Sequence, residues 1–139
     1  MNNDFYCQGM TPAMQSLVSE IGRSAPGLHE IWLIGSQANG TATPASDWDF
    51  IAFGTTETLA YIRDARHLHV PNVDFLVVEG ADIFVSAWGE MDKSGSLSGW
   101  EWGRTVERTA QYTQSKWIDR EDGAGVQLSR KSAIKVWPG

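Results

Sequence analysis

The sequence predicts an α/β fold of the α+β kind: a short mixed β-sheet with helices packed on one face and a strand-rich C-terminal extension. Two segments carry apolar residues at helical spacing, which is the periodicity of a helix with one buried face. Three short apolar runs, "EIWLIG", "DWDFIAFG" and "NVDFLVVEG", each stop at a glycine, as strands do. The second and third of these runs carry aspartates at their starts, Asp47 and Asp49 in one and Asp74 in the other, a pattern that a strand buried on both faces does not need.

The first helix starts at Thr11 and Pro12, since a threonine side chain caps free amides and proline suits the first helical position. Met14, Leu17, Val18 and Ile21 form its apolar face, and Gly22 with the following "SAPG" is expected to end it. "EIWLIG" is the first strand, closed by Gly35. A polar loop of small residues leads to "DWDFIAFG", the second strand. Helical spacing returns from Thr56 to Leu68, with Leu59, Ile62, Ala65 and Leu68 facing inward, until Pro71 bars further helix. "NVDFLVVEG" is the third strand. Farther on, "GADIFVSAW" fits helix or strand, "GEMDKSGSLSG" reads as a loop, and the partial alternation of "WEWGRTVERTAQYTQSKWI" suggests strand.

The 139 residues fit one domain, with a core motif region over 11–79 and an extension over 80–139. No apolar run approaches the roughly 18 to 20 residues of a membrane span, so no membrane is expected. The N-terminal residues lack the pattern of a secretory signal, and the single Cys7 cannot form an internal disulfide, so a cytoplasmic location is expected. A formal net charge of -6 argues against extended nucleic-acid binding, which depends on basic residues at phosphates. Arg130, Lys131 and Lys135 form a local basic run, read as a solvated tail.

Side chains alternate along a strand, so Asp47 and Asp49 share one face while Trp48 and Phe50 take the other. Asp74 opens the third strand in the same way, on the face of Leu76 and Val78. Adjacent carboxylates repel unless a cation joins them, and hard oxygen donors suit Mg²⁺ with substrate phosphates in its shell. Three such acids at strand starts can hold two metal ions in a phosphoryl-transfer clamp. Gly35 and Ser36 supply close backbone approach and a hydroxyl for a triphosphate. The bland readings are a hairpin turn at Asn39 and Gly40 and a turn acid at Asp47. His67 and His69 are read as surface or capping histidines, most of the tryptophans as core, and Cys7 has no basic cluster that would make it a nucleophile.

From Leu33 to Gly54, "LIGSQANGTATPASDWDFIAFG", followed by "VDFLVV", the chain resembles the DNA polymerase beta-like nucleotidyltransferase superfamily, in particular its minimal members. The resemblance spans about half the chain, Thr11 to Glu79, and includes Ala38, Gly40 and Ser46. It implies an enzyme that transfers a nucleoside monophosphate from an NTP such as ATP to an acceptor hydroxyl and releases pyrophosphate. Asp47, Asp49 and Asp74 would be the catalytic and metal-binding residues with two Mg²⁺ ions, and Asp74 would also take the acceptor proton. Gly35, Ser36, Asn39 and Ser46 would border the nucleotide. The chain departs from the pattern at Asn39, where many members have Arg, and at Trp48 and Phe50, in place of aliphatic residues. A rival expectation is a regulatory, antitoxin-like module of the same fold that acts mainly through a protein partner, and a third is a nucleotide sensor without transfer.

Overall fold

The structure, a computed structural model, describes residues 10–88, 94–120 and 123–138, and gives the backbone alone for 114–120 and 123–129. Cys7 and the side chain of Trp117 therefore lie outside the described residues.

Helix α1 (Pro12–Ser24) begins as expected: Thr11 caps it by accepting from the Met14 amide at 3.2 Å, and Leu17, Val18 and Ile21 are buried. It runs through Gly22 and ends at Ser24, the first residue of "SAPG". Gly22 is a contact point instead, since a side chain there would strike the Trp137 ring. Strand β1 (Glu30–Ile34) leads directly into a short helix, α2 (Gly35–Asn39), where a loop was expected. The Asn39–Gly40 pair makes no hairpin: Gly40, at φ 72°, is the left-handed cap of α2. Strand β2 (Trp48–Gly54) and helix α3 (Thr56–Asp64) follow, and α3 opens with a reciprocal cap between Thr55 and Thr58. A 3-10 turn over Arg66–Leu68 completes that apolar face before β3 (Val73–Glu79).

The second half is strand. The ambiguous "IFVSAW" is β4 (Ile83–Trp88), and Ser94–Ser96, expected as loop, forms β5 because the exposed edge of β4 offers backbone partners that its apolar-poor sequence does not announce. Within "WEWGRTVER" only Gly103–Arg104 (β6) is strand. The long strands are β7 (Thr109–Arg120) and β8 (Gly123–Trp137). The basic run at 130–135 is thus part of β8 and not a tail.

All eight strands join one sheet in the order β5-β4-β3-β2-β1-β8-β7-β6, so the sheet is not short. Its size comes from the C-terminal residues: β8 pairs with β1, and β4 with β3. Only β2 and β3 run parallel among the described pairs. Helices α1 and α3 cover one face, over Ile31, Leu33, Phe50, Phe75 and Val77. The opposite face is also buried, over Trp32, Ile34, Ile51, Leu76 and Val78, with Trp100 and Trp102 packed on it. Strand β6 lies three places from β1 in the sheet, yet Arg104 binds Glu30 at 2.7 Å and Trp102 meets Trp32 edge-on at 5.3 Å. The sheet therefore folds over its own helix-free face. No helix among the described residues is long and apolar enough to cross a membrane.

Candidate functional site

Parallel pairing of β2 with β3 aligns Trp48 with Val73 and Asp49 with Asp74. Residues in register on neighbouring strands share a face, so the two acids stand side by side at the strand starts. Both are half-buried. They lie on the helix-free face, while Trp48 and Phe50 pack into the core beneath the helices, as the alternation predicts. Asp47 precedes β2 and does not border the cavity described below. The Trp48 amide, donating to the Asn72 carbonyl at 2.8 Å, fixes the point where the paired ladder begins.

Antiparallel pairing places Ile34 opposite Asp49, so Gly35 leaves β1 right beside that acid. Gly35 has φ 75°, a left-handed conformation that favours glycine, and a side chain there would strike the Asp49 carboxylate. Both constraints require glycine at this point. Its amide donates to the Tyr112 hydroxyl at 2.9 Å, which fastens α2 to β7. Burial pushes the Tyr112 phenol above its ordinary value and the Asp49 charge adds to this, outweighing hydrogen bonds from Gly35 and Asn39. The hydroxyl accordingly stays protonated through the neutral range.

A cavity of about 550 Å³ opens at this junction. The motif half contributes Ile34, Gly35, Ser36, Asp49, Asp74 and Leu76; the other half contributes Phe84, Ser94, Trp100 and Lys131. Trp100 is held between Phe84 (4.6 Å between ring centres) and Tyr112 (5.1 Å). A larger and more open hollow of about 920 Å³ borders Arg63, Arg66, His69 and Trp88, but none of the predicted site residues lines it. His69 stacks on Trp88 at 4.5 Å with a ring nitrogen 2.8 Å from the Ile62 carbonyl, a packing role, and His67 is exposed.

Four predicted residues therefore meet at one cavity: Gly35, Ser36, Asp49 and Asp74. Ser46 and Asn39 make other bonds. The Ser46 hydroxyl accepts from the Thr43 amide at 2.8 Å and closes the turn before β2. The Asn39 amide nitrogen donates to the Gly35 carbonyl at 2.7 Å and the Ser132 carbonyl at 3.0 Å, and its oxygen accepts from the Ser132 amide at 2.8 Å. Among the described residues no three His, Cys, Asp or Glu side chains are grouped to hold a metal by themselves.

Sequence reasoning did not assign Tyr112 or Lys131 to the site, and it weighed Trp100 among the tryptophans able to stack a nucleobase before reading most of them as core. A signal for Tyr112 and Lys131 was present: Ala110 and Tyr112 alternate with polar Gln111 and Thr113, and Lys131 stands two residues from buried Ala133 in a segment that alternates.

No family model and no curated protein matches the chain. A crystal structure of a Sulfolobus solfataricus protein provisionally assigned as a nucleotidyltransferase is similar, at 24% identity over 51% of this chain and 68% of that one, with a TM-score of 0.43.

Proposed function

We propose that the chain is a metal-dependent nucleotidyltransferase that moves a nucleoside monophosphate from an NTP to an acceptor hydroxyl. The observation that carries this reading is the in-register pair Asp49 and Asp74, facing one cavity with Gly35 and Ser36.

The donor set fits Mg²⁺. Two neighbouring carboxylates are a common protein share of its octahedral shell, with water and substrate phosphate completing it. Asp49 and Asp74 would hold the ion; Asp47, which precedes β2 and lies outside the cavity lining, would reach a second ion only if the turn before β2 moved toward the cavity. When bound, Mg²⁺ neutralises charge on the phosphate oxygens. Gly35 leaves room for a phosphate beside the backbone, and the Ser36 hydroxyl offers it a hydrogen bond. The acceptor oxygen attacks the α-phosphorus as the bond to the β-phosphate oxygen breaks, and pyrophosphate leaves with that electron pair. Asp74 takes the proton lost by the hydroxyl. Catalysis is then mainly positioning and charge complementarity.

The test follows pyrophosphate release from each NTP in the presence of Mg²⁺ and a panel of hydroxyl acceptors. Asp49→Asn and Asp74→Asn are expected to lower turnover by on the order of 10²–10³ or more while leaving the melting temperature within a few degrees. Wild-type rates in either variant would overturn the site assignment. Nucleotide binding with no pyrophosphate release across the panel would instead favour the sensor or partner-dependent module.

A further inference from the structure

We propose that Lys131 is the phosphate-binding cation of this cavity and that Asn39 is the residue that positions it; this rests on the reading of the cavity as an NTP site. A polyphosphate placed beside Asp49 and Asp74 meets two like charges, so the facing wall must supply positive charge beyond what a metal ion brings. Residues 35–47, which join β1 to β2, contain no lysine or arginine. Among the described residues that line the cavity, Lys131 is the one cation.

The backbone explains how a residue so distant in sequence arrives there. Lys131 pairs in register with Tyr112, so both project to the helix-free face, and the Tyr112 hydroxyl already touches Gly35. The next residue, Ser132, has both its backbone groups bound by the Asn39 side chain. The β1–β8 ladder ends at the pair Leu33 and Ile134. Beyond that point Asn39 acts as a substitute strand, its amide giving and taking the hydrogen bonds that a backbone neighbour would. This fixes β8 within one residue of Lys131 and against α2. The neighbouring cations have other partners: Arg130 lies 3.9 Å from Glu101, and Lys135 lies 3.7 Å from Glu30. Among the described residues Lys131 makes no ion pair, and it is half-buried where it lines the cavity.

A residue that merely solvates the end of a strand would not affect a bound anion, so the experiment reads anion binding directly. Calorimetric titration of the full chain with inorganic tripolyphosphate, and separately with ATP and Mg²⁺, compares wild type with Lys131→Met, Lys131→Arg and Asn39→Ala. Lys131→Met is expected to weaken both ligands by about 10- to 100-fold and to flatten the salt dependence, and Lys131→Arg to restore affinity to within a few-fold. Asn39→Ala is expected to weaken binding in the wild-type background and to add nothing in the Lys131→Met background, because its effect acts through the lysine. Tripolyphosphate and ATP binding by Lys131→Met at wild-type affinity would overturn the role of Lys131, with the NTP site left standing. Additive losses in the double variant would overturn the positioning role of Asn39. A wild-type protein that binds neither ligand would remove the NTP reading itself, and this proposal with it.

Discussion

Gly35 joins two demands at one atom: a left-handed backbone and an empty space filled from the other side by Asp49. Gly35→Ala should therefore cost about 2 kcal/mol, combining the penalty of positive φ with the displaced carboxylate. Urea unfolding measures the loss, and unchanged stability would contradict the geometry. The acids and the Gly-Ser pair were legible in the sequence because each follows from a local rule: alternation along a strand for Asp49 and Asp74, backbone approach for Gly35. Tyr112 and Asn39 were not legible in their roles. Their partners lie 77 and 93 residues away along the chain, and no local periodicity encodes a contact at that separation. For Lys131 the difficulty was different, since a basic run has the same composition whether it is a solvated end or a strand edge at a cavity.

Elements with their own period were read correctly: α1, α3 and the first three strands each carry an apolar repeat that one short segment can display. Strands β5 and β6 have no such repeat and exist because a neighbouring strand offers backbone partners. The fold-over of the sheet was equally hidden, since it depends on β6 reaching β1. Glu30 is the pin of that closure. Burial pushes its carboxyl upward, but hydrogen bonds from Arg104 and Trp32 and the charges of Arg104 and Lys135 outweigh this and hold it below the usual carboxylate range. A lowered native value means that the ionised form stabilises the fold above the unfolded value, near 4.5, and that this contribution is lost as pH falls through the native value. Thermal melts of wild type and Glu30→Gln between pH 3 and pH 7 should accordingly differ by up to about 1 kcal/mol at neutral pH and converge under acid. A gap that stays constant with pH would show that the charge of Glu30 has no part in the closure.

The molecule as a whole has two apolar layers that share one sheet, and the motif region supplies most of the helix-side layer, with Ala87, Trp88 and Val136 added from later strands. A chain ending after residue 80 would expose Trp32, Ile34, Ile51, Leu76 and Val78 and would leave β1 with an open edge. Such a fragment is expected to bind a hydrophobic dye and to give a collapsed amide spectrum by NMR; a cooperative melt with dispersed signals would show that the motif region is self-sufficient. Later strands complete the sheet on both sides of the motif region, which is why a motif spanning half the chain gave too small a sheet. The strand beside β1 is β8, and the Asn39 clamp onto Ser132 closes across 93 residues. Translation delivers the acids early and the strand that walls them in much later. A ribosomal product that stops short of Ser132 carries Asp49 and Asp74 but lacks the residue that the Asn39 side chain clamps, so the β8 wall of the cavity is not fastened to α2 until the final stretch has emerged.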